Sequence, residues 1–413
     1  MAVRWAFCVS GLLMVTTMAM GQTKGWTADE AVVSKAEKDR PGFVYRESQV
    51  PTYELPDVLR GAKTRAEWEK MQRSETLGLF TSHVYGAMPP KPDSVTVTVV
   101  EEDKNAMGGA ATLVRWRIKA TAGAKSFEFP AAVFVPNQRE KKAGAFVFIN
   151  NRGVRVADLT RQTKNEFWSA EEIVARGHAA AIFNHSDVDP DKDGAAERAK
   201  GVYGALGSAD ENNRGGAIAA WAWGASRVLD AVLQRGDIDA ARVAVVGHSR
   251  GGKAALWAGA NDERFSVVVS NCSGCGGAAI GRRKFGETVK QINTQFPFWF
   301  NDKFKTYNGA EEKMPVDQHQ LLALIAPRGV YVASATQDLW ADQRGEFLSL
   351  VESGPVFKLY GFNGFKSDEM PPADTPITRD RVAYHIRTGE HDLKTSDWKH
   401  FMDFAEKVWA ATK

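Results

Sequence analysis

The sequence contains little cysteine, an almost balanced set of charges and only one long apolar run. Three cysteines in 413 residues are too few for a fold that depends on several disulfides. The 53 basic and 50 acidic side chains leave a net charge of +3, which favours neither a nucleic acid nor an anionic membrane as partner. Apolar residues make up 44% of the chain, enough for a large core. These values indicate a globular protein, and no internal repeat is found.

The single long apolar run lies at the N-terminus. Arg4 precedes a run from Trp5 to Met20. Small residues at Ala19 and Gly21 then suit a signal peptidase, which predicts a signal peptide over residues 1–21. We therefore expect export, to the periplasm or the medium, after cleavage near Gly21. No other segment is long and apolar enough to span a bilayer, so stable membrane insertion is not expected.

Residues 22–413 are predicted to form a single catalytic domain. Three prolines, Pro41, Pro51 and Pro56, interrupt its first part, and we interpret residues 22–60 as an irregular N-terminal arm. A helical spacing of apolar residues follows over 63–80.

Two kinds of strand pattern come next. Apolar and polar residues alternate over 95–100, 112–118 and 127–135, which is typical of half-buried antiparallel strands. Continuous apolar runs then appear at 145–149, 179–183, 243–246, 266–270 and 329–335, with a weaker one at 382–386. Such runs indicate parallel strands that are buried on both faces. With helical segments between them, they predict an α/β fold with a mostly parallel central sheet, antiparallel N-terminal strands and helices on both faces.

A nucleophile motif interrupts this alternation after one buried strand. Gly247-His248-Ser249-Arg250-Gly251 fits the pattern Gly-x-Ser-x-Gly between a strand and a helix. The pentapeptide alone is a weak signal, but this context is that of the nucleophile elbow of α/β-hydrolases. The sharp turn lifts the serine hydroxyl above the sheet, and the helix N-terminus presents N–H groups to a developing oxyanion. Ser249 is therefore the predicted nucleophile.

The general base follows the nucleophile in this fold, where the chain order is Ser, acid, His. Three histidines remain as candidates after the last clear buried strand. His385 lies in an alternating strand pattern and His400 in a helical one, so structural roles are favoured for both. His391 lies on a loop after a strand, where catalytic groups usually stand, and it is the predicted base.

The acid that orients the imidazole has two candidates. Asp338 comes three residues after the buried strand that ends at Ala335, the usual place of the triad acid. Asp342 lies close to it in sequence and is the alternative. Either carboxylate would stabilise the imidazolium that forms during catalysis.

Several motifs together resemble the glucuronoyl esterases, carbohydrate esterase family 15. They are residues 247–253 (GHSRGGK), 273–277 (SGCGG), 321–328 (LLALIAPR), 338–342 (DLWAD) and the region 385–392. The resemblance extends from about Thr64 to Phe404. It implies hydrolysis, without a metal or other cofactor, of esters between the carboxylate of 4-O-methyl-glucuronic acid on xylan and alcohols of lignin.

The resemblance also implies roles for four further residues. Arg250 is expected to stabilise the oxyanion through its side chain as well as its backbone N–H. Lys253, one helical turn after Ser249, and Glu287 and Trp340 match positions that contact the sugar.

One position departs from the family pattern. Many members carry a catalytic glutamate where this chain has Cys272. A thiol cannot stabilise an imidazolium as a carboxylate does, so the acid role is assigned to Asp338. Cys272 and Cys275 form a Cys-x-x-Cys spacing after a strand, a context that does not favour thioredoxin-like redox function.

Residues 189–194 (DPDKDG) resemble the start of a calcium loop. That loop requires a bidentate glutamate at its twelfth position, where Lys200 stands. We therefore predict no metal there and interpret the segment as a solvated turn.

Two other functions remain open. A different exported hydrolase of the same fold, such as an acetyl-xylan esterase or a peptidase, would share the nucleophile and base. Alternatively, the chain is a catalytically inactive carbohydrate-binding relative, which would explain why Cys272 stands where many members carry a catalytic glutamate. The expected partner is a glucuronoxylan or lignin–carbohydrate ester, and the protein is expected to be a monomer.

Overall fold

A ten-stranded sheet forms the centre of the computed structural model, which describes residues 25–411. Its strands in chain order are β1 Ser94–Ala106, β2 Ala111–Ala122, β3 Lys125–Pro136, β4 Ala143–Asn150, β5 Ala179–Asn184, β6 Ile238–His248, β7 Val267–Asn271, β8 Gly329–Ala335, β9 Ile377–Arg379 and β10 Val382–Arg387. Their order across the sheet is β1-β2-β3-β5-β4-β6-β7-β8-β10-β9. The predicted signal peptide lies outside the described residues.

The sheet has the predicted mixed character. Strands β1, β2, β3 and β5 pair antiparallel, whereas β5, β4, β6, β7, β8 and β10 run parallel. The short strand β9, which has no clear sequence signal, pairs antiparallel with β10 at one edge. Because the carboxyl ends of the parallel strands meet at one edge of the sheet, the loops that follow them converge there.

Thirteen helices pack around the sheet in the described residues. They are α1 Glu30–Asp39, α2 Arg65–Glu67, α3 Arg73–Phe80, α4 Ala170–Ala175, α5 His185–Val188, α6 Ala195–Arg198, α7 Val202–Leu206, α8 Ala217–Leu233, α9 Arg250–Asn261, α10 Val289–Gln295, α11 Gln318–Ala323, α12 Gln343–Leu359 and α13 Thr395–Ala410. Two π-helical turns, Trp68–Gln72 and Thr81–Tyr85, flank α3 and extend the helix predicted for 63–80. No helix of residues 25–411 is long and apolar enough to cross a membrane.

The core consists of two layers, one on each face of the sheet. In β4, Val147 and Ile149 belong to the layer covered by α8 and α9, whereas Phe146 and Phe148 belong to the layer covered by α4 and α13. A strand that is covered on both faces has to be apolar at every position. This explains the continuous apolar runs in the sequence.

The N-terminal arm is less irregular than predicted. Residues 30–39 form the helix α1, which Asp29 caps by accepting a hydrogen bond from the N–H of Ala31 at 2.8 Å. A cap of this kind satisfies one of the free N–H groups in the first helical turn. The arm packs through Val33 and Tyr45 against Phe285 and Leu339. The prediction of an irregular arm was therefore wrong for this segment, because the apolar positions that support the helix are few.

Candidate active site

Ser249 occupies a sharp turn between β6 and α9. Its backbone has φ 55° and ψ −124°, a conformation that costs a non-glycine residue on the order of 1–3 kcal/mol. The turn also requires Gly247, where a Cβ would lie only 2.0 Å from the carbonyl oxygen of Gly251. The backbone is thus strained at the one residue whose hydroxyl it presents at the carboxyl edge of the sheet, as a nucleophile elbow requires.

His391 and Asp338 form a hydrogen-bonded pair at the same edge. Nδ1 of His391 lies 2.6 Å from Oδ2 of Asp338. The two residues follow β10 and β8, which are neighbours in the sheet. The His391 side chain is 41% exposed, whereas that of Asp338 is 7% exposed. Because Asp338 engages Nδ1, the Nε2 atom of His391 is the nitrogen left to accept a proton.

The nucleophile turn and this pair are neighbours in space. The ring of His248, which directly precedes Ser249, lies 4.5 Å from the ring of His391, centroid to centroid. His248 is buried, and burial lowers its pKa well below the usual value, with further lowering by the charge of His391. A neutral His248 therefore lies beside His391. The structure therefore places the turn of Ser249, the predicted nucleophile, beside the pair of His391 and Asp338, the predicted base and acid.

Asp342, the alternative acid, has other partners. Its carboxylate pairs with Arg283 at 2.8 Å, and both side chains are buried. It also accepts a hydrogen bond from the N–H of Gly345 at 2.9 Å and so caps α12. The geometry of the structure therefore favours Asp338 over Asp342 as the partner of His391.

Cys272 lies next to the same pair. Its Sγ, a carboxylate oxygen of Asp338 and a ring nitrogen of His391 all lie within 4.8 Å of one another. Burial raises the pKa of the Cys272 thiol well above its usual value, and the charge of Asp338 adds to this effect. The thiol is thus neutral and cannot replace a carboxylate as the ionic partner of His391. Cys275 is also a buried free thiol.

Arg250, the residue after Ser249, is held by a carboxylate of the acidic loop at residues 189–194. Its Nη1 pairs with Oδ2 of Asp191. Asp191 also accepts from Nε1 of Trp299 at 2.9 Å and lies 3.1 Å from Nε2 of His185. Burial would raise the pKa of Asp191, but the hydrogen bond from His185 and the charge of Arg250 lower it to about 2.

Trp299 also contacts the Arg250 side chain. The guanidinium carbon lies 4.7 Å from the centroid of the indole ring, within the range of a cation–π contact. Phe296 stacks on the indole with centroids 3.7 Å apart. Asp191 and Trp299 together therefore orient the Arg250 side chain.

In the acidic loop of residues 189–194, the prediction of a solvated turn was wrong for Asp189 and Asp191, whereas Lys192, Asp193 and Gly194 are exposed. Asp189 is fully buried and pairs with Arg198 at 2.6 Å. Burial raises its pKa to about 6, although the charge of Arg198 opposes this shift. Its carbonyl also accepts from Nε1 of Trp221 at 2.8 Å. Asp189 and Asp191 thus engage Arg198 and Arg250 of the same chain.

Lys253 and Glu287 lie in the same region. Lys253 is buried, and its Nζ donates a hydrogen bond to the carbonyl of Ser273. Burial lowers the pKa of Lys253 while the charge of Glu287 opposes that shift. Burial likewise raises the pKa of Glu287, and Lys253 offsets part of the rise. Lys253 and Glu287 thus lie close enough beside α9 for each to affect the pKa of the other.

Trp340 is partly covered by the N-terminal arm. The guanidinium of Arg40 lies 4.0 Å from its ring centroid, and Phe43 contacts it edge-on at 5.0 Å. Its backbone carbonyl accepts from the N–H of Glu287 at 2.9 Å. A cavity of about 450 Å³ borders Trp340, Arg40 and one side of α10. The structure thereby links Trp340 to Glu287 directly and to Lys253 through Glu287.

The two other candidate histidines have the structural surroundings that the sequence predicted. His385 is buried, with Nδ1 2.8 Å from the hydroxyl of Tyr331 and Nε2 2.8 Å from Asp397. His400 lies on α13, and its ring packs 4.9 Å from that of His385.

Comparison with known proteins gives one family match. The family model described as "Glucuronyl esterase, fungi" matches residues 118–361, which include the nucleophile turn, Glu287 and Asp338.

The relatives include bacterial and fungal proteins. The chain is 36% identical to carbohydrate esterase MZ0003 of an unknown prokaryotic organism, over 97% of each chain. It is 29% identical to the 4-O-methyl-glucuronoyl methylesterase of Schizophyllum commune, over 80% of this chain and 79% of that one. The solved structure of the glucuronoyl esterase from Solibacter usitatus superimposes with a TM-score of 0.81 at 36% identity and covers 88% of this chain and 100% of that chain.

Proposed function

The chain belongs to the glucuronoyl esterase family of carboxylic ester hydrolases, and from this premise we propose that it cleaves esters of 4-O-methyl-glucuronate, as in linkages between glucuronoxylan and lignin. The observation that carries the proposal is the pairing of His391 with Asp338 at 2.6 Å beside the strained turn of Ser249. A fungal relative that is named 4-O-methyl-glucuronoyl methylesterase supports the choice of acyl group.

The first half of the proposed reaction transfers the uronate to the enzyme. Nε2 of His391 removes the proton of Ser249 Oγ, which attacks the ester carbonyl carbon. Asp338 stabilises the resulting imidazolium through Nδ1. The bond to the alcohol then breaks, and the alcohol leaves with the proton that His391 returns. In the second half, water activated by His391 attacks the acyl-enzyme and releases the free acid.

Arg250 supplies the charge stabilisation in this proposal. Its backbone N–H opens α9 directly after Ser249 and is proposed to donate to the developing oxyanion, which the helix N-terminus also stabilises. Its guanidinium is pre-oriented by Asp191 and Trp299. An arginine that is already fixed loses little conformational freedom when the transition state forms.

Lys253, Glu287 and Trp340 are assigned to the sugar. An ammonium and a carboxylate both form charge-assisted hydrogen bonds with hydroxyl groups. The electrostatic interaction of Lys253 with Glu287 and the backbone link of Glu287 to Trp340 support one continuous sugar-binding surface. The indole of Trp340 offers an apolar face to a pyranose ring, although Arg40 covers part of it.

The remaining features of the proposal concern the whole protein. Residues 1–21 are a signal peptide that is cleaved near Gly21, so the mature enzyme is exported to the periplasm or the medium. Residues 22–413 act as one catalytic domain, and the protein works as a monomer. The apolar run at the N-terminus supports export.

The test compares two esters that release the same alcohol. Benzyl glucuronate and benzyl acetate are offered to wild type and to Ser249→Ala. We expect turnover of the uronate, little turnover of the acetate and a loss in kcat on the order of 10⁶-fold in the variant. Preference for the acetate would assign the chain to the general esterases, for example acetyl-xylan esterases. Binding of saccharide without any turnover would indicate an inactive carbohydrate-binding relative.

A further inference from the structure

Cys272 places a sulfur beside the proposed base and acid. Its backbone adopts a left-handed conformation, with φ 48°, and its N–H donates to the carbonyl of Ala333 in β8 at 2.7 Å. The thiol is thereby directed at the edge where Asp338 follows β8 and His391 follows β10. The Sγ, carboxylate and imidazole atoms lie within 4.8 Å of one another.

We propose that Cys272, Asp338 and His391 form a binding site for a thiophilic divalent cation of the Zn²⁺ class, and that occupation of this site inhibits the enzyme. Thiolate sulfur, imidazole nitrogen and carboxylate oxygen are the three ligand types that Zn²⁺ prefers. Three protein ligands leave the fourth tetrahedral position to water, which reaches the site along the exposed side of His391.

The charges around the sulfur favour a cation. The carboxylates of Asp338 and Asp397 place negative charge near Cys272, and Arg387 offsets part of it. A dication compensates this charge, because it replaces the thiol proton and neutralises the new thiolate and its acidic neighbours. In the binding step the S–H bond breaks, a metal–sulfur bond forms and the proton passes to the buffer.

Metal binding is incompatible with the pairing of His391 and Asp338. Two ligands on one tetrahedral zinc ion, with bonds of roughly 2.0–2.1 Å, lie about 3.3 Å apart. Nδ1 of His391 and Oδ2 of Asp338 are 2.6 Å apart, so they must separate and give up their hydrogen bond. For Nδ1 to bind the metal, its proton has to move to Nε2, so the imidazole has neither an orienting acid nor a free lone pair for the proton of Ser249. Inhibition therefore follows from the geometry of binding.

The first experiment titrates the full-length mature protein with Zn²⁺ alone in a calorimeter and follows ester hydrolysis in parallel. We expect about one ion bound per chain, with activity lost in the same proportion and restored by a chelator. Cys272→Ser, which keeps the side chain's size but removes the soft ligand, should weaken zinc binding at least tenfold. Cys275→Ser is the matched control, a nearby buried thiol outside the cluster, and should leave the zinc affinity unchanged.

A titration with Cd²⁺ tests whether Cys272 supplies the sulfur ligand. It should produce the ultraviolet charge-transfer band of a cadmium–thiolate bond in wild type and in Cys275→Ser but not in Cys272→Ser. Equal zinc affinity in wild type and Cys272→Ser, or binding without loss of activity, would overturn the proposal.

A measurement on wild type alone covers the case in which Cys272→Ser does not fold. Anomalous scattering from zinc-soaked crystals should give a peak between the three side chains. A peak elsewhere, or none, would contradict the site. Because binding is measured without a substrate, the result is independent of which ester the enzyme prefers.

Discussion

Asn271 donates a hydrogen bond from its side-chain amide to Nδ1 of His248, at 2.8 Å. The same amide nitrogen donates to the carbonyl of Asp392 at 2.9 Å, next to His391. The backbone carbonyl of Asn271 accepts from the N–H of Ser249 at 2.8 Å. One buried residue at the end of β7 therefore joins the nucleophile turn to the loop of the proposed base.

Asn271→Ala should lower kcat on the order of 10²-fold, because a displacement of about 1 Å between nucleophile and base has an effect of that size. KM should change little, since the side-chain amide of Asn271 donates to His248 and to the carbonyl of Asp392, not to the residues proposed to bind the sugar. The control is Asn301→Ala, another buried amide, which bonds to the carbonyl of Ser82 and to Asn213. Steady-state kinetics of both variants give the comparison, and an equal loss of kcat in the two would remove the positioning role of Asn271.

Asp338 and Asp342 should respond differently to substitution. Asp338→Ala should lower kcat by up to about 10⁴-fold, as expected for loss of the acid that orients the base, with little change in stability. Asp342→Ala removes the 2.8 Å buried partner of Arg283 and leaves it the ion pair with Glu47, so the free energy of unfolding should fall by up to about 3–5 kcal/mol, the typical cost of breaking a buried pair. Steady-state kinetics and denaturant unfolding of both variants distinguish a catalytic role from a structural one. Near-normal turnover in Asp338→Ala would return the acid role to Asp342 or another residue.

Asp191 should act on catalysis through Arg250. Arg250→Ala should lower kcat by about 10²–10³-fold if the guanidinium stabilises the oxyanion. Asp191→Asn removes the charge that holds the guanidinium and should reproduce part of this loss. If the two residues work as one unit, the double variant will be no slower than Arg250→Ala, so that the effects are non-additive. Additive losses in the double-mutant cycle would mean that Asp191 acts independently of Arg250.

Patterns that are local in the sequence predicted most of the sheet and the proposed catalytic residues. Continuous apolar runs locate β4 to β8 because a strand covered on both faces has to be apolar throughout. The turn at Ser249 can be identified from the sequence because its glycines, the strand before it and the helix after it are contiguous.

Features that depend on distant partners were not predictable in this way. Asp191 precedes Arg250 by 59 residues, and no local pattern connects an acidic loop to that guanidinium. Similarly, Arg40 covers Trp340 from an arm 300 residues away, and only the assembled fold brings them together. The charge of the acidic loop suggested solvation, but Asp189 and Asp191 are largely buried and pair with Arg198 and Arg250.

Glu346 should make stability depend on pH. It is buried behind the site and accepts from the N–H groups of Ser273 at 2.7 Å and Gly274 at 2.9 Å, while its other oxygen lies 2.6 Å from Ser334 Oγ. Burial raises the pKa of Glu346 from 4.5 to about 8, although the hydrogen bond with Ser334 opposes the shift. A protonated Glu346 can donate to Ser334 and still accept from both backbone groups.

The raised pKa determines the sign of the effect. Between pH 4.5 and about 8 the folded protein retains a proton on Glu346 that the unfolded chain has released. The free energy of unfolding therefore falls as the pH rises through this window, by up to about 1.4 kcal/mol per pH unit for one proton.

Glu346→Gln should remove this dependence. Its amide imitates the protonated carboxyl, because Nε2 can donate to Ser334 while Oε1 accepts from the two backbone N–H groups. The variant should match wild type near pH 5 and be more stable than wild type at pH 8, as measured by denaturant unfolding across that range. Glu54→Gln, at an exposed position, controls for loss of a carboxylate in general. A stability difference between Glu346→Gln and wild type that stays constant from pH 5 to 8 would show that Glu346 does not titrate in this window.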